Sequence, residues 1–128
     1  MERALRVVLV VLGVFVIVTG ALDIVIGTAT LPGNTDVPTN VDSNYRFFAA
    51  IWLMLGLVLL WIVPRVREAT APLRVVCAAV FVGGLARVMS LIVAGVPDPL
   101  LVAFIGVELI VPPVLLVWQA SVRKSTSR

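Results

Sequence analysis

Two side chains carry the strongest chemical signal in this sequence, Arg87 in FVGGLARVMSLIVAG and Glu108 in AFIGVELIVPP, because each is an ionisable group set in an otherwise apolar or small-residue run. A guanidinium can hold a carboxylate, a phosphate or a carbonyl, and a carboxylate can neutralise it or carry a proton. The two runs are joined by GVPDP, and both residues lie equally far from its centre between Pro97 and Asp98. If the runs are helices folded back about that turn, both charges sit at one depth, roughly 15 Å below the turn at a 1.5 Å rise. A lone charge at mid-bilayer costs about 2.5–3.5 kcal/mol on insertion scales, so each residue is expected to pair with the other.

Other polar residues fall within helical reach of this pair. Ala79, Gly83, Arg87, Ser90 and Ala94 follow at intervals of three or four, which places Ser90 beside Arg87 on a small-residue stripe where another helix can approach. Earlier in the chain, Gly13, Gly20 and Gly27 recur every seven residues with Asp23 among them, and Arg46 shares a face with Ala49, Ala50, Leu53 and Gly56. Asp23 and Arg46 therefore join Arg87, Ser90 and Glu108 as candidate ligand-binding residues. Pro112 and Pro113 are expected to interrupt or kink the last helix, and Pro112 cannot donate to the Glu108 carbonyl, which is freed beside the carboxylate. Gln119 lies further along the same face.

The chain contains no histidine, a single cysteine (Cys77) and none of the common hydrolase, nucleotide-binding or metalloprotease motifs. No metal site, cofactor site, intramolecular disulfide or redox pair is expected. An enzyme would have to work with carboxylate and arginine chemistry alone, which weighs against catalysis.

The elements that position these residues follow from composition. Of 128 residues, 61% are hydrophobic and 13% charged, and the mean hydropathy is +1.15, far from the roughly 45–50% apolar content of soluble domains. Four apolar runs, about 7–27, 45–63, 73–94 and 100–119, each approach the ~20 residues that cross a bilayer as a helix. Short connections make consecutive helices antiparallel neighbours, so the expected fold is all-α: one transmembrane four-helix bundle over residues 1–128, with no soluble domain. A removable signal peptide is disfavoured, because the first run continues through Leu22, longer than a signal's apolar stretch.

Of the ten basic residues, Arg3 and Arg6 stand at the start, Arg65, Arg67 and Arg74 around the middle loop, and Arg123, Lys124 and Arg128 at the end. The other two loops carry only acids, Asp36, Asp42 and Asp98. The positive-inside rule then puts both termini in the cytoplasm. The net charge of +3 reads as this topology signal, and nucleic-acid binding is not expected. Tyr45, Trp61 and Trp118 fall near the span ends as an aromatic belt, whereas Trp52 lies deeper.

The stretches SNYRFFAAIWLMLGLVLL, FVGGLARVMSLIVAGVPDP and GVELIVPPVLLVWQ together resemble a family of small bacterial membrane proteins described only as domain of unknown function 4345. The resemblance extends over nearly the whole chain and implies four membrane helices without an assigned activity. Arg46, Arg87, Ser90, Glu108, Pro112 and Pro113 match its motif but receive no roles from it. The leading expectation is a bacterial inner-membrane protein that binds or passes a small or amphiphilic molecule, with a lipid or other amphiphile as ligand, and transport by so small a bundle would favour a homo-oligomer. The rival is a structural or accessory subunit of a larger membrane complex in which the Arg–Glu pair only pins the fold; a third reading is proton-coupled transport through Glu108.

Overall fold

The computed structural model describes residues 1–33 and 36–125, so Arg128 of the basic tail lies outside the described residues. Four helices form, α1 over Glu2–Ile26, α2 over Thr39–Ile62, α3 over Thr70–Ala94 and α4 over Pro99–Lys124, and the described residues include no strand. All four are long and apolar enough to cross a membrane, compatible with a multi-pass membrane protein. Each begins before the corresponding apolar run, and α4 also ends beyond it. Hydropathy marks where lipid contact ends, whereas the backbone goes on satisfying its own hydrogen bonds into the interface.

The chain falls into two compact units, Arg6–Pro64 and Met1–Leu5 with Arg65–Arg128. Within the first, α1 and α2 pack antiparallel along the predicted glycine face. A Cβ on Gly13 would meet Leu60 and the Gly56 carbonyl, one on Gly20 would meet Leu53 and the Ala49 carbonyl, and one on Gly27 would meet Arg46 and Asp42. Every step of seven along α1 is thus answered by a step of seven back along α2, the repeat that keeps a left-handed seam facing its partner. Small residues matter here because helices in lipid gain from close packing without a hydrophobic force between them.

Inside the second unit, α3 pairs with α4. The turn depends on Gly95, whose φ of +100° ends α3 in a conformation that a side chain would strain. Asp98 then caps α4, its carboxylate accepting from the Leu100 amide at 2.9 Å, with Pro99 at the first helical position. Beyond marking the loop charge, this acid therefore starts the helix. At the other end of the unit, the Gln119 amide is fully buried and donates to the Val66 carbonyl at 2.8 Å, while Arg67 pairs with Glu2.

Two expectations are corrected. The prolines do not interrupt α4, which runs as one helix through Pro112 and Pro113. The small-residue stripe of α3 is not where α4 packs: Ala79, Gly83, Arg87, Ser90 and Ala94 are all exposed, and a Cβ on Gly83 would meet nothing within 4 Å. The close approach is made by Gly84, where a Cβ would lie 3.0 Å from Leu109 and 3.1 Å from Glu108.

Candidate functional site

Gly84 brings α4 close enough to α3 for the predicted charges to meet. Nε of Arg87 lies 3.1 Å from Oε2 of Glu108. The pair is unequally covered, the Arg87 side chain being 46% exposed and that of Glu108 12%. It is therefore a half-open pair in place of the expected buried one. Oε2 is itself buried and accepts no hydrogen bond, so the contact is an ion pair whose N–H is poorly aimed. Among the described residues, the remaining guanidinium N–H groups have no partner and Ser90, one turn on, has none for its hydroxyl.

The first unit treats its polar groups differently. Arg46 donates through Nε to Asp42 at 2.7 Å and through Nη1 to the carbonyls of Ile24 at 2.5 Å and Val25 at 3.0 Å. These carbonyls end α1, so the guanidinium caps a helix terminus that has no further amides to meet it. The other Asp42 oxygen accepts from the amide and hydroxyl of Thr28, at 3.0 and 3.1 Å. Gly27, with φ of +76°, has no side chain to collide with this clasp. Thr30 and Tyr45 share a hydrogen bond of 3.0 Å beside it. Deeper, the Trp52 indole donates to the Thr19 hydroxyl at 3.1 Å, which itself donates to the Phe15 carbonyl at 2.9 Å.

Of the five candidate ligand residues, Arg87, Glu108 and Ser90 fall together on α3 and α4. Arg46 instead serves the α1 clasp, and half-buried Asp23 takes no ion pair among the described residues. Asp42 and Thr28 were missed. The available signal is the four-residue spacing of Asp42 and Arg46, hidden because the apolar run begins only at Tyr45. No cluster of three or more metal-binding side chains exists among the described residues. An open apolar depression of about 380 Å³ lined by Pro113, Val114, Val117 and Trp118 has no polar group to orient a ligand.

The model of a family described as domain of unknown function (DUF4345) matches residues 4–119. The chain belongs to that family. No curated protein and no solved structure gives a significant match. In this DUF4345 member the polar groups of α1–α2 hold the fold together, and the Arg87–Glu108 pair is the arrangement with donor capacity left over.

Proposed function

We propose that this protein lies in a bacterial inner membrane, with both termini in the cytoplasm, and binds or passes a small or amphiphilic molecule at Arg87 and Glu108. The observation that carries the reading is that the pair meets without a hydrogen bond, Oε2 of Glu108 being buried and unsatisfied. A guanidinium serving only as a pin is best held by two parallel N–H···O bonds, whereas Arg87 meets Glu108 with no aligned N–H and its side chain is 46% exposed. Such donors in a lipid-facing hairpin call for an acceptor.

The test separates folding from binding. In Arg87→Leu with Glu108→Leu the charges vanish together, so the fold is retained; lipid mass spectrometry of gently purified protein should then find an amphiphile on the wild type that the double variant has lost. Equal retention by both would leave the pair as a pin. The exposed stripe of Ala79 and Gly83 favours a second reading, an accessory subunit docking a larger complex. A complex recovered intact from wild type and lost on Gly83→Leu, with no amphiphile retained, would establish it.

Orientation has its own check. In a Cys77→Ser background, a cysteine replacing Asp98 should react with impermeant maleimide outside intact cells, and one replacing Thr70 should not; the reverse pattern refutes the placement.

A further inference from the structure

We propose that the acceptor for Arg87 is the carbonyl oxygen of an uncharged amphiphile, a ketone or an ester, lodged against α3 over Gly83. The inference rests on the binding reading above and specifies its ligand chemistry.

Three observations select that chemistry. The first is depth. The 25 residues of α3 span about 37 Å, some 7 Å more than the ~30 Å hydrocarbon core, and Arg87 stands seven residues before Ala94. With α3 centred, the Arg87 backbone lies roughly 7 Å inside the hydrocarbon, where its free N–H groups have no water to meet. An amphiphile already dissolved in the bilayer reaches them more readily than a soluble anion.

The second is charge. Arg87 and Glu108 cancel, and Glu108 is largely buried with one oxygen accepting no hydrogen bond. A carboxylate or phosphate added to this pair would leave one uncompensated negative charge next to the Glu108 carboxylate in a medium of low dielectric. A neutral carbonyl accepts the same N–H groups and adds no charge.

The third is space. Helical side chains lean toward the N-terminus, so the guanidinium overhangs the turn that contains Gly83 and Gly84, and the Ser90 hydroxyl lies over the turn of Arg87. Gly84 is filled by Leu109 and Glu108, but the space at Gly83 is open. Ser90 also departs from the usual habit of hydroxyls in apolar helices: Thr19 and Ser121 each donate to the carbonyl four residues back, and the Ser90 hydroxyl is unbonded among the described residues. Fork, hydroxyl and open turn lie on one face of α3.

The test uses the full chain in a maltoside detergent, which contributes no carbonyl. The probes are methyl pentadecyl ketone and dioleoylglycerol as neutral acceptors, from a free amphiphile and from a lipid ester, with palmitate as the anionic control. At least one neutral probe should bind the wild type more tightly than palmitate. Its affinity should fall roughly tenfold or more in Arg87→Lys, which loses the fork and keeps the charge, and in Gly83→Leu, which fills the turn. Ser90→Ala should weaken it a few-fold, with thermal unfolding unchanged. Tighter binding of palmitate would overturn the neutral-carbonyl assignment and leave the binding reading standing. If no probe binds and no co-purifying amphiphile responds to Gly83→Leu, both fall. Should Arg87→Lys not fold, the Gly83→Leu and Ser90→Ala variants decide alone, since a Cβ at Gly83 meets nothing within 4 Å and the Ser90 hydroxyl has no partner among the described residues.

Discussion

The two hairpins solve the same problem, polar groups in apolar helices, in opposite ways. In α1–α2, Arg46, Asp42, Thr28, Trp52 and Thr19 each meet a hydrogen-bond partner within the unit, and the glycine seam leaves no room along the helix contact. In α3–α4, one glycine makes the close approach, the charged pair makes no hydrogen bond, Ser90 is exposed and a Cβ on Gly83 would meet open space. A polar group whose bonds are all made stabilises a fold; one with donors to spare is available to something else. Arg46 and Arg87 are the same residue type with side chains exposed to a similar degree, 39% and 46%, and their partners tell them apart.

The largest effect expected from breaking this contrast is at Gly56. A Cβ there would lie 2.8 Å from the Ile17 side chain, 2.9 Å from the Gly13 carbonyl and 3.0 Å from the Ile17 amide. Two of these neighbours are backbone and cannot swing aside, so Gly56→Leu must push the helices apart. It should cost about 3 kcal/mol or more in unfolding from mild detergent by sodium dodecyl sulfate, whereas Gly83→Leu should cost less than about 0.5 kcal/mol. Equal costs would mean that the two hairpins are packed alike.

The glycine seam was legible in the sequence because a repeat of seven gives one face whichever partner covers it. The meeting of Arg87 with Glu108 was legible as well, since a tight turn fixes the register of both helices. Which face of α3 is packed was not legible. The small residues Ala79, Ser90 and Ala94 share a stripe with Gly83, whereas Val80, Val88 and Leu91 accompany Gly84, and only the identity of the facing residues, Leu109 and Glu108, selects Gly84. The α1 clasp was hidden for a different reason: Asp42 and Thr28 lie beyond the apolar runs, and hydropathy carries no information on helices that continue past the lipid.

An intermediate effect is expected at the charged pair, and it should be lopsided. Arg87→Ala strands a carboxylate that is only 12% exposed, at a cost of about 3 kcal/mol. Glu108→Ala frees a guanidinium that is already 46% exposed and whose long stem, once released from Glu108, can carry it toward the interface, so the loss should be closer to about 1 kcal/mol. Replacing both by leucine should recover much of the larger loss. Equal single losses in the same unfolding assay would show that both charges are equally enclosed, and additive losses that they do not interact.

The smallest effect compares two hydroxyls. Thr19→Val keeps the side-chain shape but removes the acceptor of the Trp52 indole, whose N–H is then left in an apolar surrounding. A lost hydrogen bond of this kind costs about 1 kcal/mol. Ser90→Ala removes a hydroxyl that bonds to nothing among the described residues, so its stability should change by less than about 0.3 kcal/mol, even though the same change weakens the carbonyl probe. Binding and stability would then part company at Ser90 and stay together at Thr19. A Ser90→Ala loss as large as that of Thr19→Val would reveal a partner for the serine within the fold, and the second hairpin would be as internally satisfied as the first.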